Sequence, residues 1–317
     1  MSTDHLAAAA PAGVRPAAGV GAAAFAVLVW GTSSVLIKEV PELDGAAVGI
    51  YRLWIGALLI ATLFLASGGR FTWRLLRLSL WGGVAFGADI LLFFGALQHT
   101  SVANATVIGA LQPLLLLLLA GPLFDERPRW TDGAWGLLAV AGAGVAVLGA
   151  DSGGAAGGHG DVLAVGALVA WTGYFVASKT ARSELTSFEY LTGLSVVAAV
   201  MVIPAPLVLG VSLGSPTGEA WALMATIAMV NGALGHFLMN WAHPHVPLVV
   251  TSLLTLGVPV VATAMAVAVL DEPVEPLQVA GMVVVLAALG VVAVNGARRQ
   301  PGLIAAEVEA QAAVPEP

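Results

Sequence analysis

Five ionisable side chains lie in or at the ends of otherwise apolar stretches: Lys38, Arg52, Asp89, Lys179 and His236. A charge inside a bilayer is costly and faces an interior cavity or a partner. Arg52 falls about seven residues into one apolar run, and Asp89 about eight from the end of another. At about 1.5 Å per residue both lie roughly 10–12 Å below the same surface. Such a pair can be a structural ion pair between two helices. It can equally divide a zwitterion, with Arg52 taking a carboxylate and Asp89 an ammonium or a proton. An unperturbed histidine titrates near neutral pH, so His236 is a candidate for proton coupling; the plain alternative is a hydrogen-bonded histidine near a helix end. Lys38 and Lys179 sit where long side chains reach the interface cheaply. The functional alternative makes them gates, Lys38 at the outer mouth and Lys179 at the inner.

The neutral residues around these charges are patterned. In "WGTSSVLIK" (30–38), Trp30, Ser34 and Lys38 recur every four residues and share one helical stripe. In "WTGYFVASK" (171–179), Trp171, Phe175 and Lys179 do the same, with Tyr174 beside them. These stripes are expected to wall a cavity and stack on a substrate, or to serve as packing bulk. Gln112, Asn104, Asn231 and Asn240 add hydrogen-bonding groups. Pro113 and Pro259 interrupt two apolar runs near their middles. Proline lacks a backbone donor and crowds the carbonyl four residues back, and paired breaks of this kind point to a mid-membrane site. His243 and His245 share a short loop with no third ligand nearby, so no metal site is expected. Gly136, Gly142, Gly144 and Gly281 are expected to permit close helix contact, with a homodimer surface as one use.

The elements that must hold these residues follow from composition. Of 317 residues, 59% are hydrophobic and 10% charged, with a mean hydropathy of +0.93. Soluble domains carry about 25% charged residues. Apolar runs predict ten spans, near 20–38, 45–66, 78–97, 102–122, 133–150, 161–180, 188–210, 219–241, 247–270 and 277–296. Each approaches the roughly 20 residues a bilayer requires. Residues 1–19 are expected to be a disordered cytoplasmic arm without signal-peptide features, and 297–317 a disordered cytoplasmic tail. The absence of cysteine excludes disulfides, thiolate metal sites and cysteine nucleophiles.

Orientation follows from Lys and Arg. With the N-terminus inside, the inner segments hold Arg15, Arg70, Arg74, Arg77, Arg127, Arg129, Arg182, Arg298 and Arg299, nine of the twelve basic residues. The outer loops between spans hold none. Both termini are therefore expected in the cytoplasm and the chain in the cell membrane, multi-pass.

The two Trp-to-Lys strings are 141 residues apart. Pro113 precedes Asp125 by twelve residues, as Pro259 precedes Asp271, at an offset of 146. Three landmarks in order argue for a duplicated five-helix unit, over 20–150 and 161–296. Five is odd, so the second copy enters the membrane from the other side. The expected fold is an all-α membrane protein of ten transmembrane helices in two inverted five-helix repeats, a common build for secondary transporters.

The Trp-Gly start at 30 with a Lys eight residues on, the Arg early in the second span, the mid-span Pro of the fourth and the acidic-Pro loop "FDERP" (124–128) resemble the drug/metabolite transporter (DMT) superfamily, EamA type. The resemblance covers about residues 20 to 296. In the second half Thr172 replaces the Gly after Trp171, and Gly193 occupies the position of Arg52. The resemblance implies a central cavity lined by helices 1–4 and 6–9. It also implies export of amino acids and other small metabolites, with some importers and drug-efflux types.

The leading reading is a secondary active transporter, not an enzyme, that exports an amino acid-like or drug-like compound by alternating access. Its partners are the small-molecule substrate, the lipid bilayer and, as candidate coupling ion, protons. No cofactor, metal or nucleic acid is expected. The substrate-binding candidates are Trp30, Ser34, Arg52, Asp89, Gln112, Trp171, Tyr174, Asn231 and His236; the gating candidates are Lys38, Lys179, Pro113 and Pro259. The alternative is an intramembrane enzyme, for which H-E-x-x-H is missing and the one G-x-S-x-G string, "GVSLG" (210–214), falls in the stretch between two expected spans.

Overall fold

The structure is a computed structural model describing residues 15–40, 43–97, 99–100, 102–124, 130–149, 158–271 and 274–298. Asp125, Glu126 and Glu272 of the repeat landmarks, and Arg127, Arg129 and Arg299 of the basic set, lie outside the described residues. So do residues 1–14 and 299–317. The described chain is helical throughout. Its elements are α1 (Pro16–Gly31), α2 (Ser33–Lys38), α3 (Gly45–Ala66), α4 (Trp73–Leu97), α5 (Val102–Gly109), α6 (Gln112–Phe124) and α7 (Trp130–Gly149). Then follow α8 (His159–Ala181), α9 (Ser187–Met201), α10 (Ala205–Leu209), α11 (Gly218–Ile227), a π-helical turn (Ala228–Leu234), α12 (Gly235–Ala242), α13 (Leu248–Thr255), α14 (Gly257–Leu270) and α15 (Pro276–Arg298).

Among the described residues, eight helical spans are long and apolar enough to cross a bilayer. The other two expected spans are shorter and divided. The first begins at Pro16, within the arm expected to be disordered, and breaks at Thr32 between α1 and α2. The seventh ends as α9 at Met201, with α10 following Pro204. Pro204 crowds the carbonyl of Val200, which stops α9 within one residue. The third span also starts earlier than expected. Arg74 and Arg77 lie in the first turns of α4 rather than in a loop.

The two mid-span prolines act as their chemistry requires. The carbonyl four residues before Pro113 is that of Gly109, the last residue of α5. The carbonyl four before Pro259 is that of Thr255, the last residue of α13. Each proline then sits in the first turn of the next half-helix, where a missing N–H costs nothing. Helix starts carry side-chain caps. Asp44 accepts from Ala46 N, Thr217 from Ala220 N, and Thr186 forms a reciprocal capping box with Glu189.

Packing follows an exchange pattern. α4 lies against α8 and α9, while α12 and the π turn lie against α1 and α3. α5 and α6 meet α8, as α13 and α14 meet α1. α3 with α9, α6 with α13 and α7 with α15 pair directly. At the level of whole spans, exchanging first-half for second-half elements leaves these pairings unchanged. The α7–α15 contact depends on missing side chains. A Cβ on Gly281 would overlap the backbone nitrogen of Ala146 and lie 2.6 Å from the Gly142 carbonyl oxygen. A Cβ on Gly142 would stand 2.9 Å from Val284 Cγ1 and 3.0 Å from the Gly281 carbonyl oxygen, whereas one on Gly144 meets nothing within 4 Å. Gly144 is therefore not part of the close contact expected of it.

Candidate functional site

Five ring-bearing side chains converge from four helices. Trp30 comes from the end of α1, Phe86 from α4, Trp171 and Tyr174 from α8, and His236 from α12. The His236 ring centroid lies 4.7 Å from Phe86, 4.9 Å from Trp30, 5.7 Å from Tyr174 and 6.3 Å from Trp171. Trp30 and Trp171 meet edge to face at 5.8 Å. Tilted and edge-to-face arrangements suit ring quadrupoles. The two Trp stripes, 141 residues apart in sequence, thus meet at one point.

The cage borders a cavity with about 20 Å³ of enclosed space, within a cleft of about 370 Å³ counted with its open mouth. Arg52, Leu53 and Gly56 of α3, Phe86 of α4, Ser195 of α9, Gly232 of the π turn and His236 form much of its wall. Both halves of the chain contribute. Glycine and alanine on α3 and the π turn make the room, because neither fills the space between the helices.

The π turn is tied to the break in the first span. The Trp30 indole N–H donates to the carbonyl oxygen of Asn231 at 3.0 Å. The Asn231 side-chain amide donates to the Val29 carbonyl and, at 3.0 Å, to Thr32 Oγ1. The amide therefore satisfies a carbonyl at the end of α1, and the break and the π turn hold one another. Asn231 positions Trp30 from behind the cage instead of lining the cavity.

Beneath the cage lies a buried polar ladder between α8 and α12. Tyr174 and Ser178 are four residues apart on α8; His236 and Asn240 are four apart on α12. The Tyr174 hydroxyl is 3.0 Å from His236 Nδ1 and donates to Asn240 Oδ1 at 3.0 Å. Ser178 Oγ donates to the same Asn240 oxygen at 2.7 Å and lies 2.7 Å from His243 Nδ1. Arg182 Nε donates to the Asn240 backbone carbonyl at 3.1 Å. His243 lies in the short loop after α12, where it was expected, and its side chain is wholly buried there.

The remaining candidates fall elsewhere. Arg52 and Asp89 act on one another electrostatically, yet no ion pair within 4.0 Å joins them among the described residues. Of the two readings of this pair, the close structural ion pair is not formed among the described residues; Arg52 is in the cavity wall and Asp89 is not. Gln112 is also apart: it is buried, and its Oε1 accepts from Ser252 Oγ at 2.9 Å, which joins the two half-helix junctions. Lys179 donates to the Val246 carbonyl at 3.5 Å, and its ammonium lies 5.4 Å from the Phe124 ring centroid. Pro113 and Pro259 stand at the breaks already described. The side chains of Ser34, Lys38 and Asn104 lie outside the described residues. The break at Thr32 also interrupts the stripe that Trp30, Ser34 and Lys38 were expected to form.

Phe86, Ser195 and Ser178 were missing from the sequence reading. Ser178 had a signal: it lies four residues after Tyr174 on an otherwise apolar face, as Asn240 does after His236. Phe86 had none, since one phenylalanine in an apolar run resembles any other.

A family model, the EamA-like transporter family, matches residues 17–148 and again 158–294. The chain belongs to that family. This EamA-like protein is a multi-pass membrane protein, and the resemblance carried by Trp30, Arg52, Pro113 and the acidic-Pro loop is borne out. Its family places it among transporters of small molecules. A search of curated proteins finds no match. One solved structure, described only as the crystal structure of a protein, aligns with 88% of this chain and 99% of its own, at a TM-score of 0.74 and 19% identity. A likeness at that identity shows a shared fold and nothing of the substrate.

Proposed function

We propose that this EamA-like protein exports a small amino acid-like or drug-like metabolite across the cytoplasmic membrane by alternating access, with protons as the coupling ion. The single observation behind this reading is the cavity between α3, α4, α9, the π turn and α12, whose wall comes from both halves of the chain. In this proposal the ten spans form two inverted five-helix repeats with both termini cytoplasmic. The exchange pattern of helix packing supports that arrangement. Rocking of one half against the other would open a shared site first to one side and then to the other.

The wall suggests what enters. Most of it is apolar, with a few polar groups to fix orientation, as in small-molecule sites generally. The Arg52 guanidinium favours a carboxylate or other anionic group. The ring cage favours a flat or aliphatic body. Asp89, on α4 one turn beyond Phe86 and without an ion-pair partner within 4.0 Å among the described residues, is the candidate proton carrier. Outward direction follows the majority of the resembled family.

The test is counterflow in proteoliposomes, using compounds that accumulate in cells lacking the gene. Saturable counterflow lost in Arg52→Gln is the expected result. Counterflow indifferent to both Arg52→Gln and His236→Phe would remove the cavity from the pathway. Transport independent of a proton gradient and unaltered in Asp89→Asn would remove the coupling. Chemical conversion of the compound by purified protein without vesicles would favour the intramembrane enzyme instead.

A further inference from the structure

The Tyr174–Asn240–Ser178 ladder has a polarity that can be read from donor counts. Each hydroxyl carries one hydrogen. Tyr174 spends its hydrogen on Asn240 Oδ1 at 3.0 Å, and Ser178 spends its own on the same oxygen at 2.7 Å. Each hydroxyl oxygen then has only lone pairs left for its imidazole neighbour. The 3.0 Å contact of Tyr174 with His236 and the 2.7 Å contact of Ser178 with His243 can be hydrogen bonds only if both histidines carry a proton on Nδ1. A neutral imidazole has one N–H. Nε2 of both rings is therefore a bare acceptor. On His243 that nitrogen is buried without a protein partner. On His236 it lies on the ring edge away from Tyr174, and His236 is part of the cavity wall.

We infer that Asn240 is a positioning residue: through Tyr174 it holds His236 in the Nδ1–H tautomer, so that the cavity presents an Nε2 lone pair and selects a ligand that donates a hydrogen bond there. The ligand class is then a compound with an ammonium, amide or hydroxyl hydrogen at one end and an anionic group for Arg52 at the other. An ester or ether of otherwise similar shape leaves the Nε2 lone pair unmatched. A site built around a buried polar group discriminates strongly against analogues that leave it unpaired. The opposite setting is also self-consistent. If the Asn240 side-chain nitrogen faced the two hydroxyls, both histidines would become Nε2–H, and the cavity would present a donor. The amide thus sets both imidazoles together, and the hydroxyl bonds to Oδ1 select the acceptor form while leaving Asn240 Nδ2 buried without a partner among the described residues.

The tautomer half of this inference stands on the ladder alone, while the ligand half rests on the proposed transport through the cavity. The experiment separates them. Full-length protein with ¹⁵N-labelled histidine is reconstituted in lipid nanodiscs, and the His236 and His243 nitrogens are assigned from His236→Gln and His243→Gln spectra. Both Nε2 signals are expected at the unprotonated position and both Nδ1 signals at the protonated one. A protonated Nε2 on His236 overturns the inference whatever the transport result. Tyr174→Phe is expected to release His236 alone, Ser178→Ala to release His243 alone, and Asn240→Leu to release both. Asn240→Asp, which keeps an acceptor oxygen, should preserve the wild-type pattern. Unchanged tautomers in folded Asn240→Leu would show that Asn240 does not set them. For the ligand half, a transported compound and its O- or N-methylated analogue are compared by competition. Loss of at least tenfold in affinity on methylation, shrinking in Asn240→Leu, is expected. Equal affinity of the two compounds with the tautomers as stated would refute the ligand half alone.

Discussion

The tightest test of the ring cage is a methyl group on Gly235. An ideal Cβ there overlaps Trp30 Nε1 and lies 2.7 Å from Trp30 Cδ1. The indole cannot shift by a few tenths of an ångström to make room. Its N–H is bonded to the Asn231 carbonyl at 3.0 Å, and its faces meet Trp171 and His236 at centroid distances of 5.8 and 4.9 Å. Gly235→Ala must either expel the ring or push α12 away from α1. Expulsion gives up one hydrogen bond, about 0.5–1.5 kcal/mol net. It also gives up aromatic contacts worth about 0.5–1.5 kcal/mol per pair. Moving the helix is an overpacking cost of about 1–3 kcal/mol. The cheaper route, moving the helix, sets the loss at the cage at about 1–3 kcal/mol. If the cage binds the transported compound, half-saturation for counterflow should rise about 5- to 100-fold, at about 1.4 kcal/mol per decade. Tryptophan emission should change in the component missing from Trp30→Phe. Gly173→Ala is the control: its Cβ would stand 3.7 Å from that of Ala85, an ordinary contact. A Gly235→Ala protein with wild-type half-saturation and unchanged Trp30 emission would refute the packing argument. Changed emission with unchanged half-saturation would show that the cage is structural.

Three further outcomes are expected. Gly281→Ala should lower stability by about 1–3 kcal/mol through overpacking at the α7–α15 contact, while Gly144→Ala should leave it level or raise it by up to about 1 kcal/mol; thermal unfolding in detergent decides. Ser252→Ala should cost about 1–3 kcal/mol, because the buried Gln112 oxygen loses its donor, and adding Gln112→Leu should recover most of that loss. His243 and His245, in the turn between α12 and α13, are held below the usual imidazole range, first by burial and then by neighbouring cations: Lys179 and Arg182 for His243, Arg182 and Arg15 for His245. The unfolded chain binds protons that the folded chain refuses, so stability should be level above about pH 7 and fall as pH drops below about 6.5. His243→Gln and His245→Gln should each flatten that fall in melting curves taken across pH.

Length, hydropathy and the recurrence of Trp30–Lys38 at Trp171–Lys179 were enough to read a helical, duplicated membrane protein. Those features are local or periodic, and a bilayer requires them whatever the packing. The proline breaks were legible for the same reason, since the damage a proline does falls on a carbonyl four residues away. Arg52 and His236 stood out because an ionisable group in an apolar run needs a reason. What they face was a different matter. Equal depth left open whether Arg52 and Asp89 pair directly, because depth along two helices says nothing of rotation about their axes; no ion pair within 4.0 Å joins them among the described residues. Gln112 looked like a cavity residue by its mid-span position, yet faces Ser252. The π turn at Ala228–Leu234 had no cue of its own: no proline marks it, and the Asn231 bonds to Val29 and Thr32 come from the far end of the chain.

The sequence by itself determined that the chain is a multi-pass helical membrane protein, that the unit occurs twice, and which side chains are costly enough there to matter. The tertiary structure alone decided which of those side chains share a cavity. It turned Arg52 and His236 toward one space, set Phe86 and Ser195 beside them, and tied Trp30 to the π turn. The physical reason is that burial and backbone hydrogen bonding are properties of one helix at a time. The rotation and crossing of one helix against another come from glycine contacts and hydrogen bonds between residues more than a hundred positions apart, such as Gly142 with Gly281 and Trp30 with Asn231.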